Sequence, residues 1–243
     1  MGGNLIAAIA LFSFAFDLCA SAFVNNSASP STGPALTVKR CASLGGYSPD
    51  ALAQELILAM QRGDGACVRE SIESGANLTK AFDNGWTSIH HAASIGDLYY
   101  VEGILSKKDD AAFINSKTWI DQTALHIAAA EGHITVIDRL VLAGANLEAP
   151  DGKGDTPLIA AVAEDRLSAA QRLIHHRALL EHRGRGGGMT ALLVATARGN
   201  HEMVSVLLSC GAKLSAEDGE TAMKLAKSYP LVIDALQNTS RRK

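Results

Sequence analysis

The chain has 243 residues, 47% of them hydrophobic, with 22 basic and 25 acidic side chains and a formal charge of −3. This is the composition of an ordinary soluble globular chain, and neither sign is in enough excess to make nucleic acid or an anionic membrane the main partner. Four cysteines (Cys19, Cys41, Cys67, Cys210) lie far apart without a C-x-x-C pair or His/Cys ligand spacing, so neither a disulfide framework nor a zinc site is encoded. Cys67 and Cys210 fall at helix positions and read as small buried apolar residues.

Residues 5–16, LIAAIALFSFAF, form the one long apolar run. At about twelve residues it is too short to span a bilayer as a helix and fits a signal-peptide core. Ala20 and Ala22 supply the small residues that a signal peptidase needs, which places a cut before Phe23 and makes 1–22 a signal-like segment; a retained N-terminal anchor is the alternative. From Phe23 to Pro49 there is no acidic residue, Ser, Thr and Asn are abundant, and Lys39-Arg40 add positive charge. That is the composition of an organellar transit peptide, assigned here to 23–49. The junction Ala20-Ser21-Ala22-Phe23 resembles the A-S-A-F motif of bipartite plastid-targeting sequences in algae with secondary red-lineage plastids. The resemblance implies entry to a plastid through the secretory route, and the alternative is a secreted protein with a disordered Ser-rich linker.

From Pro49 the chain alternates helix and loop. Pro49-Asp50 ahead of Leu52, Leu56, Ile57 and Met60 is a helix start, with Asp50 placed to accept from first-turn N–H groups. Thr123–Ala149 shows the organisation best: Leu125, Ile127, Ala128 and Ala129, then Ile134, Val136, Ile137, Leu140 and Val141, fall at helical spacing in two short bursts. Gly132 separates the bursts and Gly144 closes the second, each where a chain leaving a helix turns left-handed. Such a pair is too short to be stable alone and must stack on copies of itself. The copies open at Thr87, Thr123, Thr156 and Thr190, with a truncated unit at Thr221, in steps of 36, 33, 34 and 31 residues. The long first step reflects three extra residues within Lys107–Lys117. Gly63/Gly75, Gly132/Gly144 and Gly199/Gly211, each twelve apart, give a second ladder in the same register.

With these residues laid out, the chain resembles the ankyrin-repeat family, whose unit opens T-P-L-H-x-A-A and ends in a G-A followed by a hairpin finger. The matches are Thr87-Ser-Ile-His90-His-Ala-Ala93, Thr123-Ala-Leu-His126-Ile-Ala-Ala129, Thr156-Pro-Leu-Ile-Ala-Ala161 and Thr190-Ala-Leu-Leu-Val-Ala195. The resemblance implies an all-α solenoid of stacked helix-turn-helix units with short β-hairpin fingers. It covers 50–238 as about six repeats, the terminal ones capping, and leaves 239–243 as a tail. It also implies that His90 and His126 hydrogen-bond the backbone of neighbouring fingers. Ile159 and Leu193 replace that histidine in two units, and Arg177 replaces a cap glycine. The lysines of Thr221–Lys227 mark a C-terminal cap helix, which Tyr229-Pro230 breaks from a short last helix, Leu231–Leu236.

Eight histidines do not make a site: no Cys, Asp or Glu completes a ligand set, and adjacent histidines on a helix diverge by about 100°. Neither a nucleophile with its base nor a phosphate loop can be read, and Gly184–Gly188 lacks the flanking strand and lysine of one. The expectation is therefore no enzyme, metal or cofactor, but a protein client held on a concave face by a chain monomeric outside the complex; a regulatory subunit of an enzyme complex is the alternative. The residues just before the threonines, Trp86, Gln122, Asp155, Met189 and Glu220, read as exposed finger positions, and Ile95, Glu131, Glu164 and Arg198 as facing the client. Trp86 and Trp119 are the candidate anchors, because large indoles on fingers are anomalous where solvent is the default. A basic cluster containing Arg172, His176, Arg177, Arg183 and Arg185 is a second candidate, suited to an acidic or phosphorylated surface.

Overall fold

Short apolar bursts interrupted by left-handed caps fold into helix pairs, and thirteen α-helices are present among the described residues. The computed structural model describes 46–184 and 188–240, the last three without their side chains. The leader residues 1–45, Arg185 and the tail 241–243 lie outside the described residues. Six pairs succeed one another: α1 (Pro49–Arg62) with α2 (Gly65–Glu73), α3 (Ser88–Ile95) with α4 (Leu98–Leu105), and, after the short α5 (Ala111–Ile114), α6 (Ala124–Glu131) with α7 (Ile134–Leu142). Then come α8 (Pro157–Ala163) with α9 (Leu167–His175), α10 (Ala191–Arg198) with α11 (His201–Ser209), and α12 (Ala216–Leu225) with α13 (Pro230–Ser240). First helices pack on first helices along one row, α1, α3, α6, α8, α10, α12. The second helices pack as a parallel row, and α7 touches both α4 and α9.

The core runs between the rows. Leu56, Ile89, Leu125, Leu158 and Leu192 fill it from the first helices, and Val101, Ile137, Leu140, Leu173 and Met203 from the second, all buried. Each such side chain contributes about 1.5–3 kcal/mol on burial. The segment Lys107–Lys117 that carries the three extra residues folds in part as α5, which buries Phe113 and Ile114. Asn115 then spans to the next unit: its Oδ1 accepts from the Asn146 N–H at 2.7 Å and its Nδ2 donates to the Gly144 carbonyl at 3.2 Å.

The left-handed caps hold where glycine is missing. Asp165 (φ 54) and Arg177 (φ 71) take the conformation that Gly132 (φ 85) and Gly144 (φ 92) take elsewhere. Several sequence expectations are corrected. Ser48, not Asp50, caps α1, accepting from the Ala51 N–H at 3.2 Å, while Asp50 accepts from Asn77 Nδ2 at 2.9 Å. The last unit opens at Ser215, whose hydroxyl accepts from the Asp218 N–H at 3.1 Å, so Thr221 and Glu220 sit inside α12 rather than at a finger. The final helix reaches Ser240 instead of ending at Leu236. Cys67 is buried as expected, whereas Cys210 is exposed.

Among the described residues the fingers form no strand. Each is a turn closed across its base by the N–H of Phe82 on the Trp86 carbonyl (2.8 Å), Thr118 on Gln122 (2.9 Å), Asp151 on Asp155 (2.9 Å) and Gly184 on Met189 (3.2 Å). A second backbone bond lies inside each turn, from Gly85, Asp121, Gly154 and Gly188 back to the same first residue; a single residue pair is too little for a ladder. The two T-x-L-H histidines bind as the resemblance implied. The Thr87 N–H donates to His90 Nδ1 (3.1 Å), which leaves the proton on Nε2 to donate to the Ser116 carbonyl (3.0 Å). His126 repeats this between Thr123 (3.2 Å) and the Asp155 carbonyl (3.0 Å). Where Ile159 and Leu193 replace histidine, the hydroxyls of Thr156 and Thr190 cap their N–H groups directly, at 3.4 Å each.

Burial lowers the pKa of His90 to about 4 and also lowers that of His126; His91, unpaired at Nε2, falls to about 4 for the same reason. A second ring proton would also displace the threonine N–H from Nδ1. The unfolded chain therefore binds more protons below its ordinary histidine value near 6.5, and stability is complete above that pH and lost as pH falls toward 4. Each such imidazole costs up to about 1.4 kcal/mol per pH unit in that window. Thermal melts from pH 7.5 to 4.5 should show a falling midpoint below pH 6.5, and His91→Phe should make the fall shallower.

Candidate functional site

Finger tips and the ends of the first helices carry the side chains that the core does not use. On the second finger, the one between α5 and α6, Trp119 is 76% and Ile120 60% exposed, side by side. Both flanks of that finger are pinned. The Trp119 N–H donates to the Asn84 carbonyl of the first finger (3.0 Å), and the Ile120 carbonyl accepts from the Gly152 N–H of the third (2.9 Å). The Trp119 indole lies against Gly85, where φ is 74° and a methyl group would collide with the ring. An exposed aromatic on an already ordered turn loses little conformational freedom when a partner covers it.

Trp86 behaves differently. It is half-buried, packs on the core, and faces the rings of His91 (5.1 Å) and His90 (6.3 Å). Gln122, Asp155 and Met189 are likewise half-buried, because the residue before each threonine closes its finger instead of standing at the tip. Burial, then the neighbouring Asp151, raises the pKa of Asp155. The tip lies three or so residues earlier, so the repeat register pointed one turn too far along the chain. Ile120 was missed for that reason; its signal was an apolar residue where the third finger has Gly152 and Lys153.

Ile95, Glu131, Glu164 and Arg198 do share one register position, each directly before a left-handed cap. Ile95, Glu164 and Arg198 are exposed and Glu131 is half-buried. Beneath them runs a ladder that sequence reading did not find. His133 Nε2 reaches back to the Ser94 carbonyl (3.0 Å), Arg166 Nε to the Ala130 carbonyl (2.9 Å), and Arg198 Nε to Asp165 (3.3 Å). Tyr229 covers Gly199 in the same way. The first two bonds satisfy helix C-terminal carbonyls that have no partner within their own helix.

The basic cluster is dispersed among carboxylates. Arg172 and His176 both contact Asp138, at 3.5 and 2.6 Å. Arg183 pairs with the buried Asp218 at 2.6 Å, which also accepts from the Ser215 hydroxyl at 2.7 Å. That hydrogen bond with Arg183 holds Asp218 below the usual carboxylate range. Arg177 is exposed on its left-handed turn. Among the described residues, no group of three His, Cys, Asp or Glu side chains is set to hold a metal ion, and no helix is long and apolar enough to cross a membrane.

Family models described as Ankyrin repeats (3 copies) match residues 56–151 and 101–183, and one described as Ankyrin repeat matches 187–219. The chain is similar to ankyrin repeat and SOCS box protein 3 of Bos taurus, with 29% identity over 174 residues, 71% of this chain and 33% of that protein. It is 30% identical over 154 residues to a transient receptor potential cation channel subfamily A member 1 homolog of Caenorhabditis elegans, 63% of this chain and 12% of that protein. It is 36% identical over 107 residues to the neurogenic locus notch homolog protein 2 of Homo sapiens, 43% of this chain and 4% of that protein. The chain thus spans a third or less of the length of these relatives.

The contrast between the two tryptophans gives a stability test. Trp119→Ala removes a largely solvated ring and should cost less than about 1 kcal/mol, whereas Trp86→Ala opens a gap against the core and should cost roughly 2 kcal/mol or more. Urea unfolding of the two variants beside the parent chain measures both.

Proposed function

The chain belongs to the ankyrin-repeat family, and from that premise we propose that it is a non-enzymatic scaffold that seats a client protein across its finger tips and first-helix ends. The observation that carries this reading is the Trp119–Ile120 pair, two large apolar side chains held toward solvent on a finger bonded from both sides. Tryptophan is among the residues most enriched at binding hot spots, and a rigid anchor loses little entropy on capture. Ile95, Glu131, Glu164 and Arg198, at the C-terminal ends of the first helices, set the register of the client, while Trp86, Gln122, Asp155 and Met189 hold the fingers in place from below. The names of the relatives, a SOCS box protein, a cation channel and a notch homolog, do not converge on one client. A client that is itself an enzyme would use the same surface.

We propose further that 1–22 and 23–49 act as a bipartite leader that takes the chain through the secretory route into a plastid. The Ala20-Ser21-Ala22-Phe23 junction and the acid-free, Ser-rich composition that follows it support this reading.

Capture experiments test the anchor. A client bound by the parent chain should bind Trp119→Ala or Ile120→Ala more weakly by about 2 kcal/mol, close to thirtyfold, and should bind Leu142→Ala, which removes a 78% exposed side chain on a second helix, as before. Equal binding by all three variants would move the site off the finger. For the leader, a fluorescent protein fused to residues 1–48 should reach the plastid of an alga with a red-lineage secondary plastid, and Phe23→Ala should stall it in the secretory route. Export of the unmutated fusion from the cell would favour a secreted protein.

A further inference from the structure

We infer that Asn77 is an acceptor for an N-linked glycan on chains that enter the lumen of the endoplasmic reticulum, an inference that rests on the secretory entry proposed above. Asn77-Leu78-Thr79 is an N-x-T tripeptide without proline, in the loop that follows α2 and the left-handed Gly75 (φ 90). Leu78 is buried and anchors the loop, its carbonyl accepting from the Ser88 hydroxyl at 2.8 Å. Thr79 is exposed, and Asn77 is half-buried.

The side-chain geometry leaves the acceptor atom serviceable. Asn77 Oδ1 accepts from the Thr79 N–H (3.2 Å) and from the Thr79 hydroxyl (2.9 Å), which fixes the plane of the amide. Nδ2 donates one of its two hydrogens to Asp50 Oδ1 at 2.9 Å. Nδ2 carries a second hydrogen that this bond does not use, and an N-glycosidic bond replaces only one of the two. An open depression of about 430 Å³ adjoins the site, bordered by Gly75, Asn77, Thr79, Lys107 and Lys108, and gives the first sugar a place beside the protein.

The same loop in a later unit separates the repeat's geometry from the acceptor chemistry. In Asn146-Leu147-Glu148, Asn146 Oδ1 accepts from the Glu148 N–H at 2.9 Å, which reproduces the Asn77 turn with a glutamate in place of the threonine. The turn therefore belongs to the repeat, and the hydroxyl that an oligosaccharyltransferase requires belongs to the first unit. The donor is a polyprenyl-pyrophosphate-linked oligosaccharide. The bond formed joins Asn77 Nδ2 to the anomeric carbon, the bond broken joins that carbon to the pyrophosphate oxygen, the polyprenyl pyrophosphate leaves, and the displaced Nδ2 proton passes to a base of the transferase.

The test is translation of the full chain with microsomes, in a background of Asn25→Gln and Asn238→Gln that removes the two other N-x-S/T tripeptides. One version carries its own leader, and a second carries a proven cleavable signal peptide fused ahead of residue 1, with protease protection reporting lumenal entry. The protected chain should show one endoglycosidase-sensitive step of retardation on a gel, lost completely in Asn77→Gln and in Thr79→Ala. A step in the fused version alone would sink the secretory reading and leave the acceptor site standing. A protected fused chain that runs level with Asn77→Gln, or a step that survives Asn77→Gln, would overturn the site.

Discussion

No helix pair in this chain holds itself together. The longest described helix has 14 residues and most have eight or nine, at or below the length at which an isolated helix is marginal in water. Stability must come from the faces that each pair buries against the next, and the apolar positions are spent almost entirely on that. The polar links follow the same logic. His126 reaches the finger of the next unit, while His133, Arg166 and Arg198 reach back to the preceding one, so each unit completes hydrogen bonds that its neighbour cannot make alone.

This dependence explains what stays free for function. A side chain that neither fills the inter-row core nor ties one unit to another is left on finger tips and helix ends. Several of the charges there are paired within the molecule: Arg198 with Asp165, Arg172 with Asp138, Arg183 with Asp218. On the fingers the largest exposed apolar side chains are Trp119 and Ile120. A surface of this kind gains affinity by burying those two side chains, with the charged residues around them fixing orientation.

Much of the fold was legible in the sequence because the stacking constraint writes itself as spacing. Thr87, Thr123, Thr156 and Thr190 mark helix starts, and the caps at Gly96, Gly132 and Gly199 fall where the periodicity breaks. Asp165 and Arg177 show that the backbone keeps its left-handed turn even where the residue does not advertise it. The site was less legible. Finger geometry is set by hydrogen bonds between units, such as Trp119 to Asn84, so the tip could not be placed by counting back from a threonine. Asp138 and His176 lie 38 residues apart and Arg183 and Asp218 lie 35 apart, and nothing local announces such pairs; a run of basic residues therefore read as a free cationic cluster. At the C-terminal end, Thr221 looked like an opening threonine, but Ser215 offers an earlier cap and the helix starts there.

The central claim is that the exposed pair is presented on a finger made rigid by its neighbours. Hydrogen exchange at the backbone amides of Trp119 and Gly152 tests it most directly, because these two N–H groups make the bonds between fingers. The account predicts that both exchange slowly, with protection comparable to that of the central helices α6 and α8, although they lie in turns beside largely exposed side chains. Exchange at the rate of an open surface loop would contradict it, leaving Trp119 and Ile120 on a finger that a client would have to order for itself.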